Sequence, residues 1–362
     1  MLILGYGPGV AELRPFAALR YDVEHAGPLE SLVAPPYDVL SEHERDAYLE
    51  KSPYNVVHLT LPDSEEQAAS DFAAWREEGV LREESPAFWA LEQDYVGPDG
   101  VARTRRGIVA SLKAEPYERG VVLPHERTHR EAKEGRLRLV RAVGAQLEPI
   151  FLLYEGLPPV ANPEGEPDLE VEGAKLWRLS ETDAIVEAFT DRQLMIADGH
   201  HRYETTVEYA QAGGSPWLMV VLVSTSDPGL TIFPTHRTAA RFDTSNSVLL
   251  ADGNDPRAAL ESLPTDRPAA VVYTRDRVAV AEGEPGQLDT QLVEKLAPDV
   301  GYTAYVDEAI AAVDDGRAEA AFLLRPTKIE DVFAVAKRGE VLPPKTTYFF
   351  PKLLSGLLFH PL

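Results

Sequence analysis

Three histidine-bearing clusters hold the side chains of this chain that are best suited to chemistry. Each follows a short apolar run of the kind expected of a buried strand. The clusters are residues 125–129 (His-Glu-Arg-Thr-His), 198–202 (Asp-Gly-His-His-Arg) and 236–237 (His-Arg). We expect the three clusters to lie side by side in one cleft.

The middle cluster marks a sharp turn from a strand into a helix. Residues 194–197 are apolar, Gly199 interrupts the run, and a helical pattern continues from there to Gly213. Such a turn exposes unpaired N–H groups at the positive end of the helix dipole, which favours an anion. Arg202 suits a bidentate grip on phosphate. The sequence therefore predicts a phosphate site, the alternative being a capped helix with a buried, hydrogen-bonded histidine.

Four residues of these clusters are candidate catalytic groups. Asp198 could orient a histidine, coordinate Mg²⁺ or act as a base toward a hydroxyl group, and Glu126 is the alternative base. His200 and His201 are adjacent and point in different directions, so one could face the ligand while the other anchors the turn.

The remaining candidates are ligand-binding residues. Two consecutive prolines, at 35 and 36, favour a rigid loop that lines a cleft, although an N-terminal arm packed on the core has the same pattern. Lysines in the proline-rich segment 342–352 could close over an anion, although a structural strap has the same composition. The candidate ligand-binding residues are Gly199, Arg202, His125, Arg127, Thr128, His236, Arg237, Tyr37, Asp38 and Lys345, with Lys352 in the same C-terminal segment.

A metal site has one weak indication. His125 and His129 are four residues apart, and on a helix they would share a face. Pro124 and Thr128 favour a loop or the start of a helix instead, so the metal is left unassigned.

Composition narrows the class of protein. The 362 residues are 44% hydrophobic and 26% charged, as in ordinary globular proteins, and the length predicts two lobes or one elaborated domain. The net charge of −24 repels a phosphate backbone and argues against a nucleic-acid partner. The absence of cysteine excludes disulfides and thiolate chemistry. No apolar run approaches the ~20 residues that cross a bilayer, and we expect a cytoplasmic protein.

The order of apolar patterns predicts an α+β fold with a mixed-sheet core. The predicted elements include strands at 55–59, 146–154 and 217–224, a hairpin of 88–96 with 106–114, and helices at 65–78 and 131–143. Residues 1–244 are assigned to the core with its N-terminal elaboration, residues 245–340 to a smaller α/β lobe, and residues 341–362 to a strap that packs back on the core.

Motifs along the whole chain resemble a bacterial and archaeal family known as domain of unknown function 1015. That name implies no activity. The matching motifs are residues 14–16 (Arg-Pro-Phe), 19–22 (Leu-Arg-Tyr-Asp), 34–39 (Ala-Pro-Pro-Tyr-Asp-Val), 52–55 (Ser-Pro-Tyr-Asn), 124–128 (Pro-His-Glu-Arg-Thr), 198–205, 234–237 and 344–353.

A second resemblance covers about thirty residues, 194–223. Their order of strand, Asp-Gly-His-His-Arg turn, helix and strand is similar to the core of the ParB/sulfiredoxin-like superfamily, which includes a free-serine kinase. This resemblance implies that Gly199, His200, His201 and Arg202 contact the phosphates of a nucleotide, ATP or ADP. Mg²⁺, which Asp198 could coordinate, is the other candidate cofactor. Sulfiredoxin chemistry does not carry over, because the chain has no cysteine.

Three functions fit these observations. The first is a phosphoryl-transfer enzyme that binds a nucleotide or a small phosphorylated metabolite, with serine as an example of the acceptor. The second is a phosphohydrolase of a small phosphorylated metabolite, and the third is a nucleotide-binding regulatory protein without turnover. These sequence patterns predict no particular oligomeric state.

Overall fold

Both strands and helices occur throughout the part of the chain that the structure, a computed structural model, describes: residues 10–128, 130–242, 249–250, 255–297 and 299–362. The helices are α1 Val23–Ala26, α2 Glu42–Lys51, α3 Val57–Thr60, α4 Glu65–Glu77, α5 Arg130–Val143, α6 Thr182–Ala188, α7 His200–Gln211, α8 Pro256–Glu261, α9 Asp289–Leu296, α10 Val306–Asp314 and α11 Ile329–Lys337. The strands are β1 Leu13–Arg14, β2 Leu19–Tyr21, β3 Leu81–Glu83, β4 Phe88–Val96, β5 Ala102–Lys113, β6 Val122–Leu123, β7 Ala145–Gln146, β8 Ile150–Tyr154, β9 Leu169–Val171, β10 Ala174–Leu179, β11 Leu194–Asp198, β12 Trp217–Ser224, β13 Thr231–Phe233, β14 His236–Ala239, β15 Leu249–Leu250, β16 Ala269–Thr274, β17 Arg277–Glu282, β18 Gly301–Thr303, β19 Ala320–Leu323, β20 Tyr348–Phe350 and β21 His360–Pro361.

The chain divides into two compact units. Unit 1 holds the described residues up to Gly97 together with Ala102–Leu230 and Pro351–Leu362, and unit 2 holds Pro98–Val101 and Thr231–Phe350. These boundaries differ from the predicted ones at 244 and 340. The reason is strand pairing: β14 pairs with β18 and β19, and β13 pairs with β20, so all of these strands belong to unit 2.

Unit 1 is built on a mixed sheet. Within its described residues the strand order is β6-β11-β8-β12-β5-β4-β10-β9, with β1 also paired to β5. The pairs β6/β11 and β8/β12 are parallel, and the other pairs are antiparallel. The α+β prediction with a mixed-sheet core is therefore confirmed.

The central strands of this sheet are continuous apolar runs because both of their faces are covered. Every residue of β8 is buried, as are the first four residues of β11. Leu152, Ile196 and Val220 of neighbouring strands share one core with Tyr203 of α7. This packing fixes α7 against the strand that precedes it.

Unit 2 is built on an antiparallel sheet with the order β15-β17-β16-β19-β14-β18 among the described residues. Alternate residues of β16 enter different cores, as the two-residue period of a strand requires. Ala270 packs with residues of α9, whereas Val271 packs with residues of α8 and α10. Both faces of this sheet are thus covered.

Several local predictions are confirmed, and others are wrong. The 88–96 hairpin strand and the helices near 65 and 131 are present. The strand predicted at 55–59 is wrong: the Asn55 side chain accepts a hydrogen bond from the Val57 amide at 3.0 Å and starts α3 instead. The strand predicted at 146–154 is split, with Pro149 lying in the gap. Helix α11 was not predicted. None of the helices in the described ranges is long and apolar enough to span a bilayer.

Candidate functional site

Gly199 makes the turn between β11 and α7. Its backbone has φ 99° and ψ 30°, in the left-handed region that favours glycine. A Cβ atom added there would lie 3.2 Å from the guanidinium of Arg202, which would have to shift by a few tenths of an ångström. Gly199 is also the N-cap residue of α7, and it has no side chain that could accept a hydrogen bond. The first amide groups of the helix therefore lack the usual capping oxygen.

Asp198, at the end of β11, is bound by two cations. Arg202 donates from Nη2 to one carboxylate oxygen at 2.7 Å, and Nζ of Lys352 is ion-paired with the other. The side chains of Asp198 and Arg202 are only 15% and 9% exposed. Burial would raise the pKa of Asp198, but Lys352 and Arg202 outweigh it and hold this pKa at about 2. Asp198 is therefore an anion at neutral pH and holds both cations at the start of α7.

His200 and His125 join the first two predicted clusters. Nε2 of His200 accepts a hydrogen bond from the backbone amide of His125 at 3.3 Å, so the neutral His200 ring carries its proton on Nδ1. Burial lowers the pKa of His125 to about 4, and burial together with His125 lowers the pKa of His200 well below its ordinary value. Both rings are neutral at pH 7. His200 thus anchors the loop before α5 to the start of α7.

The loop 124–128 contributes further polar groups. Thr128 Oγ1 donates to Glu204 of α7 at 2.7 Å, which gives the loop a second attachment to this helix. Glu126 is partly exposed and Arg127 is exposed, as expected of groups that face solvent or a ligand. His129 lies outside the described residues. Within those residues, no three acidic or histidine side chains converge as metal ligands.

Tyr37 and Asp38 lie on the same side of unit 1 as Arg202. The Tyr37 amide donates to Glu148 at 3.1 Å, and the guanidinium of Arg136 lies 3.8 Å from the centre of the Tyr37 ring. Burial raises the pKa of Tyr37, and Arg202 acts in the opposite direction.

Asp38 acts on the charge of Lys352. Burial lowers the pKa of Lys352, whereas Asp198 and, more weakly, the exposed Asp38 raise it above its ordinary value. Tyr37 and Asp38 are thus both close enough to the start of α7 to act on the charge of Arg202.

The third cluster lies in unit 2. Nδ1 of the buried His236 accepts from the Leu324 amide at 3.1 Å, and burial lowers the pKa of His236 to about 4. Arg237 donates to the carbonyls of Pro344 and Lys345 at 3.2 and 3.1 Å. These contacts attach strand β14 to the end of β19 and to the loop before β20. The expectation that this cluster lies beside the other two stays a prediction, as does a ligand-binding role for the exposed Lys345.

Four residues near the site were not predicted from the sequence: Gln93, Arg105, Arg136 and Glu148. Glu148 is buried and accepts from Ser355 at 2.8 Å as well as from Tyr37. Nothing in the sequence around Glu148 indicates this role.

Arg105 could have been found from the alternation of its strand, because it shares the buried face of β5 with Val109. A charged residue on such a face requires polar partners.

Comparisons with known proteins give a family and distant structural similarities. A family model described as "Protein of unknown function (DUF1015)" matches residues 13–290. A conserved hypothetical protein from Pyrococcus furiosus is 18% identical with a TM-score of 0.37, covering 66% of this chain and 92% of that one. Free serine kinase in complex with AMP is 17% identical with a TM-score of 0.39, covering 66% and 89%. SbnI from Staphylococcus aureus is 14% identical with a TM-score of 0.38, covering 67% and 85%. No curated protein matches the chain. At these identities and scores, the structural similarities do not establish a shared activity.

Proposed function

The chain belongs to the DUF1015 family, and we propose that it binds a phosphate-bearing ligand at the start of α7 and transfers a phosphoryl group between a nucleotide and a small hydroxyl compound. One observation carries the proposal. Arg202 and Lys352 are held together by the buried Asp198 at a helix start that has no side-chain cap.

This arrangement favours an anion on electrostatic grounds. Arg202, Lys352 and Asp198 together carry one net positive charge, and the positive end of the α7 dipole adds to it. The carboxylates of Asp38 and Glu148 also act on Arg202 and reduce this charge. Both cations are already ordered by Asp198, so a ligand would not have to immobilise two long side chains. Hydrogen bonds from guanidinium and ammonium groups to phosphate are among the strong ones in proteins.

Phosphoryl transfer depends mainly on positioning and charge neutralisation, which these residues could supply. Asp198, with a pKa of about 2, is a poor base, and its oxygens already bind two cations. We therefore assign it the role of positioning Arg202 and Lys352. Glu126 is the better candidate base, since it is partly exposed and follows His125, which is tied to the start of α7.

The nucleotide in this proposal comes from the resemblance of residues 194–223 to the ParB/sulfiredoxin-like core. In this proposal ATP or ADP is the donor and a hydroxyl amino acid such as serine is the acceptor. Because no cage of metal ligands is found among the described residues, Mg²⁺ would enter with the phosphates of the nucleotide. Asp38, an exposed carboxylate whose charge acts on both Arg202 and Lys352, would contact it.

Binding without turnover is the second candidate. It is favoured by the engagement of Asp198 in ion pairs and by the use of His200 as an anchor, which leave Glu126 as the remaining base. A phosphohydrolase would use the same residues with water as the acceptor.

The test is a thermal-shift panel of phosphate, pyrophosphate, AMP, ADP, ATP and phosphoserine, followed by assays for phosphate release and product formation with the ligands that bind. We expect Lys352→Met to weaken binding about tenfold or more, since it removes a charge-assisted contact. Glu126→Gln should retain binding and lose turnover. A Lys352→Met protein that binds every ligand as tightly as the unmodified chain would contradict the proposed site. Binding without any turnover would favour the regulatory protein.

A further inference from the structure

We infer that Arg105 and Gln93 form a clamp that positions Lys352 for the anionic ligand, an inference that rests on the proposed function. Both residues are buried, on the neighbouring strands β5 and β4, where they lie directly opposite one another. Neither has been assigned a role in the chemistry above.

Arg105 contacts the C-terminal segment of unit 1 directly. Its Nη2 donates to Gln93 Oε1 at 2.6 Å and to the carbonyl of Pro351 at 2.7 Å. The guanidinium carbon lies 4.5 Å from the centre of the Phe151 ring, and the residue is only 1% exposed. A buried guanidinium is expensive to desolvate, so its position requires that its hydrogen bonds be well formed.

Gln93 extends the contact by one residue. Its amide oxygen accepts from Arg105, and its amide nitrogen donates to the carbonyl of Lys352 in a longer contact of 3.5 Å. The two carbonyls that the clamp binds, those of Pro351 and Lys352, lie on either side of the Lys352 Cα. The backbone from which the ammonium reaches Asp198 is therefore held on both sides.

The rest of the segment is attached independently of the clamp. Ser355 pairs with Ala34 through two backbone hydrogen bonds, and its hydroxyl donates to Glu148 at 2.8 Å. Phe359 likewise pairs with Leu19 through two backbone hydrogen bonds. Loss of the clamp should thus leave residues 355–362 in place and release the part of the segment that carries Lys352.

A purely structural role for Arg105 would predict a different result. In that case Arg105→Met would lower stability without changing the ligand affinity of the folded protein, or would change it whether or not Lys352 is present. A positioning role predicts an effect that acts only through Lys352.

The experiment uses the full chain with inorganic pyrophosphate as the probe, measured by titration calorimetry. Arg105→Met should raise the Kd roughly three- to tenfold, and Arg105→Lys should recover part of that loss, because a lysine can still reach one carbonyl. In a Lys352→Met background, Arg105→Met should have no further effect.

The matched control is Arg106→Met, on the same strand but the opposite face, where Arg106 pairs with Glu92 at 2.8 Å. This control should bind pyrophosphate as the unmodified chain does.

A second readout does not depend on the ligand. The rate at which acetic anhydride acetylates Lys352, followed by mass spectrometry, should rise severalfold in Arg105→Met and stay unchanged in Arg106→Met. Gln93→Leu should give the same change in a protein that keeps Arg105.

The clamp and the proposed function can be refuted independently of one another. Equal acetylation rates in all variants, or a Kd for Arg105→Met equal to that of Arg106→Met, would overturn the clamp. If pyrophosphate does not bind the unmodified chain, the proposed function fails, while the acetylation rates still decide whether Arg105 positions Lys352.

Discussion

Lys352 is ion-paired with Asp198, a residue 154 positions earlier in the chain. The other oxygen of the same carboxylate binds Arg202, only four positions later. One buried side chain at the end of β11 therefore connects the first turn of α7 with the C-terminal segment of unit 1. The candidate site is complete only when that segment is in place.

Gly199→Ala should damage both the fold and the site. An alanine at φ 99° is strained, which costs about 1–2 kcal/mol of unfolding free energy, and its Cβ would push against the Arg202 guanidinium. Gly213→Ala is the matched control, because Gly213 has φ 90° but open space around it. Urea unfolding should show similar losses in both variants, whereas calorimetry should show weaker pyrophosphate binding only in Gly199→Ala. Equal binding in the two variants would show that the position of Arg202 is unimportant.

Asp198→Asn should remove a pH-dependent contribution to stability. The folded pKa of about 2 is below the ordinary value of 3.8, so this contribution is present above about pH 4 and is lost as the pH falls toward 2. At pH 7 the variant should lose about 3–5 kcal/mol, because two buried cations lose their partner. Urea unfolding from pH 7 to pH 2 measures the difference from the unmodified chain, which should shrink at the acidic end.

Asp63→Asn provides the comparison for this experiment. Asp63 is 88% exposed and pairs with Arg45, so screening by solvent makes its pair weak. Its removal should change stability little at any pH. A similar pH profile for both variants would argue against a special role of the buried carboxylate.

His360 should make stability fall between pH 6.5 and 4. Burial lowers its pKa to about 4, so in this range the unfolded chain takes up a proton that the folded chain does not. Its stabilisation is complete above pH 6.5 and decreases as the pH falls. His360→Gln should therefore flatten the pH dependence of unfolding by up to about 1.4 kcal/mol per pH unit. A slope in His360→Gln equal to that of the unmodified chain would refute the assignment.

Lys345→Gly should stabilise unit 2. Lys345 has φ 54°, an unfavourable value for a residue with a side chain, and glycine relieves it by up to about 1 kcal/mol. Lys345→Ala keeps the strain and removes the long side chain, so it separates the two effects in thermal unfolding. A loss of stability in both variants would mean that the lysine side chain makes a contact worth more than the strain. Pyrophosphate titration of the same variants tests the predicted ligand-binding role.

Local features of the fold could be predicted from the sequence because their causes lie within a few residues. The helix predicted at 65–78 is an example: the Ser64 side chain accepts from the Gln67 amide and caps α4. The turn at Gly199 is another, since an apolar run, a glycine and a helical period specify it without reference to the rest of the chain. The errors at Asn55 and Pro149 were also local, because a side-chain hydrogen bond to the backbone and a missing N–H outweighed the apolar pattern.

By itself, then, the sequence determined the α+β character, the strand–turn–helix unit at 194–211 and the acidic, cysteine-free composition. Only the tertiary structure decided what surrounds Asp198. The sheet order β8-β12-β5-β4 brings Arg105 within hydrogen-bonding distance of Pro351, 246 positions away, and the C-terminal segment brings Lys352 to Asp198. Such pairings depend on which strands become neighbours when the whole core packs, and the periodicity of any single segment does not contain that information.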